Sequence, residues 1–242
     1  MVYVLKLAVN DFKNIIRDRF LVYASIILPL MLVVVSRVIL HWIAPSLSDT
    51  FPIAGNYPMI FMLCTTMIPL VYGFIGAFLI LDERDEHLLT VLRVMPISRN
   101  SYLIYRMFFL SVFAFIVLLV FPPLSGLVED TMFSYVDYIP IAVFFTLLTP
   151  FSALMVSSFA SNKVQAFAIF KISGTVFLVP LFIFLLKGTL RYIFAPVPNF
   201  WGFMTLKEVI YSGSNDYLHL VVGFVYVIVL IGFLFYVFNK KN

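Results

Sequence analysis

Six stretches of the chain, at about 20–44, 57–81, 102–128, 137–160, 164–187 and 217–238, are almost unbroken runs of apolar residues with at most two charges in any of them. Each matches the roughly 20 residues that a helix needs to cross the hydrocarbon core of a bilayer at 1.5 Å per residue. Lipid offers no water to spanning backbone, so such a stretch must satisfy its own N–H and C=O groups, which a helix does. The predicted fold is an all-α integral membrane protein with six transmembrane helices forming a single transmembrane domain over residues 1–242. Composition leaves no soluble alternative, because a chain that is 63% hydrophobic and 12% charged, with a mean hydropathy of +1.07, cannot clothe a water-facing surface.

Lys and Arg set the orientation, since basic segments are retained on the cytoplasmic side. Lys6, Lys13, Arg17, Arg19, Arg84, Arg93, Arg99, Arg106, Lys163, Lys240 and Lys241 flank one side of the spans; Arg37, Lys187, Arg191 and Lys207 flank the other. Both termini, the 82–101 segment and the 161–163 turn are therefore expected inside, in the plasma membrane. The first stretch begins too late and runs too long for a signal-peptide core, so it is expected to remain as the first span. Ahead of it, Leu5, Ala8, Val9, Phe12, Ile15 and Ile16 recur at helical spacing opposite Asn10, Lys13, Asn14 and Arg17. That pattern predicts an amphipathic helix over residues 1–19 lying in the cytoplasmic headgroup layer.

Two segments between spans are more than connectors. Residues 82–101 hold the longest charged run of the chain and read as a second short helix. Asp82 is expected to cap its start, Asp85 and Glu86 to complement its dipole, and Pro96 to end it near Arg93. Leu88, Leu92 and Met95 then form an apolar stripe that needs a cover, while the charge of Glu83 is expected to be solvated and screened by salt. Ser98 can cap the helix entering the third span. Residues 188–216 are too long for a plain loop and rich in aromatics, with Pro196 and Pro198 between them. They predict two short helices dipping into the outer leaflet and parted near the prolines.

The chemistry of an autonomous pump or enzyme is missing from the sequence. No phosphate-binding loop of the Gly-x-x-x-x-Gly-Lys-Ser/Thr type occurs, and the twelve acidic residues lie in loops or near span ends, Asp137 at the outer start of the fourth span being the nearest to an exception. His41, His87 and His219 are scattered over both interfaces without helical pairing, so no metal site and no catalytic residue is expected. Cys64 reads as a small packing residue. Ser152, Ala153, Ser157, Ser158 and Ser161 in and after the fourth span, and Gly73 and Ala77 in the second, have the spacing of closely packed helices. The net charge of +4 forms no basic stripe interleaved with aromatics, which argues against nucleic acid as a partner. Lys171 stands within the fifth stretch, where an intramembrane charge marks a functional site. Two readings are open for it: a side chain snorkelling to the headgroups, or part of a polar translocation pathway.

A basic amphipathic N-terminal helix, six spans, a charged helix between spans two and three and a long aromatic segment before span six together resemble the permease subunit of type-2 ABC transporters. The run Leu81-Asp82-Glu83-Arg84-Asp85-Glu86-His87-Leu88-Leu89-Thr90-Val91-Leu92-Arg93-Val94-Met95-Pro96-Ile97-Ser98-Arg99 carries the likeness, ending as it does in Pro-hydrophobic-Ser-Arg. It departs from the family where Asp85-Glu86-His87-Leu88 replaces the usual Glu-x-Gly-Thr. The resemblance implies an exporter permease that forms its pathway with a second permease copy, as homodimer or heterodimer, within membrane lipid. Separate cytoplasmic ABC ATPase subunits, carrying ATP and magnesium, would power it. Glu83, Arg84, Glu86, Leu88, Leu89, Leu92, Arg93, Met95, Pro96, Ser98 and Arg99 would then belong to a coupling helix seated on the ATPase. The rival readings are a non-transporting scaffold or regulator and an intramembrane lipid-acting enzyme.

Overall fold

The computed structural model describes residues 22–47, 53–85, 99–129, 131, 133–186, 188–212 and 217–241. The amphipathic N-terminal segment and residues 86–98 lie outside them. Six helices long and apolar enough to cross a membrane overlap the six apolar stretches: α1 (Tyr23–Ser46), α2 (Tyr57–Asp85), α3 (Arg99–Ser125), α4 (Tyr135–Phe159), α5 (Lys163–Phe184) and, after a short helix α6 (Phe200–Ser212), α7 (Leu218–Lys241). The described residues contain no strand. Helix α2 is the axis of the bundle, with 89% of its apolar window buried against 11% for α1 and 22% for α5 and α7.

Close approach of α2 and α4 depends on small side chains. A Cβ at Gly73 would lie 1.7 Å from Ser152 Oγ and 2.4 Å from the Thr149 carbonyl, and one at Gly76 would lie 2.9 Å from Leu110 and 3.3 Å from Ala153. Where lipid removes the hydrophobic drive between helices, this contact of small faces supplies van der Waals attraction instead. The spacing of Gly73 with Ser152 and Ala153 had that meaning in the sequence; Ser161 lies beyond the end of α4, in the turn to α5.

Prolines inside the spans free backbone carbonyls, and tyrosines from neighbouring helices take up several of them. Pro29 cannot donate to Ser25, and the Ser25 carbonyl instead accepts from the Tyr72 hydroxyl at 2.7 Å. Pro122 and Pro123 likewise release Leu118 and Leu119, whose carbonyls accept from Tyr138 at 3.3 Å and Tyr135 at 2.5 Å. Each proline thus ties its helix to a neighbour. Pro150 deprives Thr146 of its bond, and α4 breaks stride at Leu147 between its two halves.

Beyond α3, Gly126 takes a left-handed conformation (φ 71°), and Arg37 of α1 donates from Nε to the Leu124 carbonyl at 2.7 Å while pairing with Glu129 at 3.5 Å. The segment between α5 and α7 folds as a 3₁₀ helix (Gly188–Phe194) and α6, on either side of the prolines. Helix α6 packs on α4 and α7, where Gly202 and Gly223 admit the Phe144 ring.

Candidate functional site

The ends of α2, α4 and α7 and the beginnings of α3 and α5 meet at one end of the bundle, the end from which residues 86–98 depart. Three consecutive residues of α2 there reach three different neighbours, because successive side chains of a helix turn by 100° around its axis. Asp82 pairs with Lys163 of α5 at 2.6 Å. Glu83 turns to α3, where Arg106 Nη2 lies 2.6 Å from its Oε1 and the Tyr102 hydroxyl donates to the same oxygen. Arg84 donates from Nη2 to the Ala160 carbonyl at 2.9 Å, at the end of α4. Lys241 of α7 donates to the Ser158 carbonyl at 3.0 Å, so two cations cap the negative end of the α4 dipole. Asn162 then caps α5 by accepting from the Gln165 amide on its side chain, while the Gln165 side chain accepts from the Ser161 amide just ahead of the cap.

These contacts differ in weight. Asp82 and Lys163 are 34% and 47% exposed, so their attraction is largely screened. Glu83 and Arg106 are 10% and 4% exposed, and the Arg106 guanidinium also lies 5.2 Å from the centre of the Tyr102 ring. Removing one partner of such a pair strands the other charge, at a cost of about 3–5 kcal/mol.

The placement corrects two expectations. Asp82 does not begin a new helix, since α2 continues through Asp85, and Asp82, Glu83 and Arg84 inside it are accommodated because each has a partner on α5, on α3 or at the end of α4. Glu83 is not solvated but buried inside the bundle. Arg84 is half-buried, and α3 starts at Arg99, immediately after Ser98. Glu86, Leu88, Leu89, Leu92, Arg93, Met95, Pro96 and Ser98 lie outside the described residues. Tyr102, Arg106 and Lys241 escaped the sequence reading as members of this cluster; the one available signal was the helical spacing of Tyr102 and Arg106, four residues apart on one face of α3.

Lys171 lies apart from that cluster. It is exposed on α5, on the same stripe as exposed Val164, Ala168 and Thr175, and the Thr175 hydroxyl donates to its carbonyl at 3.0 Å. At the opposite end of the bundle, Tyr217 donates to Asp137 at 2.9 Å, and His219 lies 2.8 Å from the Tyr192 hydroxyl and 3.8 Å from Glu208. The Lys207 ammonium stands 4.9 Å from the centre of the Phe184 ring, and burial first, with the Arg191 charge second, lowers its pKa from the usual lysine value. Among the described residues no group of His, Cys, Asp and Glu is arranged to hold a metal ion.

Six helices long and apolar enough to cross a membrane, packed as one bundle, define a multi-pass membrane protein. The chain belongs to the family described as fluoroquinolones export permease protein Rv2686c-like, which it matches over residues 11–235. It is 28% identical over 196 residues to the fluoroquinolones export permease proteins Rv2686c of Mycobacterium tuberculosis strain H37Rv and MT2760 of strain CDC 1551, covering 79% of this chain and 76% of each relative. No solved structure matches. As a permease the chain is a transporter subunit and not an enzyme in its own right.

Proposed function

We propose that this chain is the membrane half of an ABC-type exporter that carries amphiphilic aromatic drugs of the fluoroquinolone kind out of the cytoplasm. It works with a second permease copy and with cytoplasmic ATPase subunits that bind ATP and magnesium. Residues 82–99 form the element that takes up the ATPase movement, with the apolar stripe of Leu88, Leu92 and Met95 as its contact and the 1–19 helix beside it in the headgroup layer. One observation carries the reading: the segment is rooted at both ends in a buried clasp, Glu83 of α2 on Arg106 and Tyr102 of α3. A push on residues 86–98 then moves α2 and α3 together as a lever, without being absorbed at a loose joint.

Glu83, being buried, serves as an anchor for the segment, while Leu88, Leu89 and Leu92 serve as its contact. Orientation follows the basic residues: the end that holds Arg84, Lys163, Lys240 and Lys241 faces the cytoplasm. The test is capture of the ATPase by tagged permease from native membranes, followed by drug uptake into inverted vesicles. Leu92→Asp is expected to weaken capture more than about tenfold, since an interface anchor contributes about 2 kcal/mol and 1.4 kcal/mol is a factor of ten. Full capture and full uptake by that variant would defeat the proposal.

A further inference from the structure

Between α1 and α3 runs a groove of about 350 Å³, with Pro29 and Val33 on one wall, Phe113 and Val117 on the other and Tyr72 of α2 at its floor. Its lining is apolar apart from Ser25 and Tyr72, and the Tyr72 hydroxyl is already bound to the Ser25 carbonyl. Such a wall offers water too few polar partners to hold it. Leu30, Ile116 and Val120 of the lining are exposed, so the groove opens sideways from the bundle. On α3 the lining runs from Leu110 to Leu124, about 21 Å at 1.5 Å per residue. A volume of about 350 Å³ spread over that length is about 5 Å across, against roughly 10–12 Å for a helix with its side chains. What fits is a single hydrocarbon chain, and the bilayer, with about 15 Å of hydrocarbon in each leaflet, supplies it.

The groove ends at two opposite charges. Leu124, its last lining residue on α3, is the residue whose carbonyl accepts from Arg37 Nε at 2.7 Å. Arg37 Nη2 reaches the Pro123 carbonyl at 3.3 Å and Glu129 Oε1 at 3.5 Å, while Nη1, with two more N–H groups, makes no hydrogen bond among the described residues. Arg37 and Glu129 are 38% and 62% exposed, so each can take a second partner without losing the first. A guanidinium suits a phosphate, and the carboxylate beside it suits a cationic N–H donor. The two together complement a headgroup in which a primary ammonium follows a phosphate by a few atoms.

We infer that this groove is a binding site for one phospholipid of the phosphatidylethanolamine class, with an acyl chain between α1 and α3, the phosphate on Arg37 and the ammonium on Glu129. Phosphatidylglycerol has no cation for Glu129, and the quaternary ammonium of phosphatidylcholine has no N–H to donate to it, so the two charges select among lipids of equal chain length. Helix α1 has little contact of its own with the bundle, 11% of its apolar window being buried, so a chain held in the groove is part of what fastens it. The site is separate from the Glu83 clasp, and lipid held there is independent of what the chain exports.

The experiment is native mass spectrometry of the tagged permease complex, taken from native membranes and exchanged into an equimolar mixture of phosphatidylethanolamine, phosphatidylglycerol and phosphatidylcholine with the same acyl chains. The wild-type complex should keep one phosphatidylethanolamine per permease chain, preferred about tenfold over either competitor, as for a hydrogen bond to a charged group. Glu129→Gln, a change at an exposed position that the fold tolerates, should lose most of that preference. Val117→Trp, which fills the groove, should lose the lipid whatever its headgroup. Retention without headgroup preference, an equal preference in wild type and Glu129→Gln, or full retention by Val117→Trp would each overturn the assignment and leave the export reading untouched. A wild-type complex without retained lipid would overturn it as well, and loss of a second permease copy from Val117→Trp would then give the groove to that copy.

Discussion

The root of the 86–98 segment and the exposed face of α5 both set a cation among apolar residues, and they treat it in opposite ways. At the root, Arg106 is 4% exposed and meets Glu83 and Tyr102. On α5, Lys171 is exposed and its ammonium meets nothing among the described residues. A buried cation with a fixed carboxylate fastens two helices, and its loss is felt as instability. A cation facing out of the bundle contributes little to holding it together, so its loss should leave the fold unharmed. Substitutions at the two sites should therefore differ sharply in their effect on stability.

The largest expected effect is that of Glu83→Lys. The new ammonium would face Arg106 in a buried site, adding like-charge repulsion to the roughly 3–5 kcal/mol lost on breaking the pair. The variant should fail to give a monodisperse detergent peak in size-exclusion chromatography, and high salt should not restore it. A mild, salt-sensitive change would mean that the Glu83 site is wet. Next comes a double-mutant cycle on Glu83→Gln and Arg106→Met, followed by thermal unfolding in detergent. Each single change should lower the midpoint, and the double should cost less than their sum by about 1–3 kcal/mol, the range for residues that share a contact. Strict additivity would show that the two side chains act independently.

Tyr72→Phe is expected to be smaller, about 1 kcal/mol, because it deletes one hydroxyl and leaves the Ser25 carbonyl, freed by Pro29, without its donor. Replacing Pro29 by Ala in the same background should recover most of the loss, since residue 29 can then donate to Ser25 itself. The smallest effect belongs to Lys171→Met, whose midpoint should stay within about 0.5 kcal/mol of wild type, as for surface positions without structural partners. A large loss at Lys171 would collapse the distinction between the two cations.

Much of this layout was legible in the sequence, because membrane insertion is decided locally. A run of about 20 apolar residues declares a span whatever surrounds it, and Pro196 with Pro198 parts the two short helices between α5 and α7. Gly73 and Ser152 signalled close packing, because only small residues allow helices to approach so closely. The partners of charges and of freed carbonyls were not legible. Glu83 meets Arg106 across a turn of the chain, Arg84 meets Ala160 and Lys241 meets Ser158 across whole spans, and no spacing rule relates such positions. Asp82 looked like a cap because an acidic residue after an apolar run usually starts something new. With Lys163, Arg106 and the Ala160 carbonyl to receive its charges, α2 had no physical reason to stop there.

The central claim, that the Glu83 and Arg106 clasp turns ATPase movement into movement of α2 and α3, is tested most directly by the amount of drug transported per ATP hydrolysed in proteoliposomes. The complex should carry the double variant Glu83→Gln with Arg106→Met, chosen because it removes both charges and leaves neither stranded. Association with the ATPase and hydrolysis should persist near the wild-type level, while transport per ATP falls at least about tenfold, a barrier change of about 1.4 kcal/mol. An unchanged ratio of transport to hydrolysis in a folded, fully associated double variant would contradict the claim.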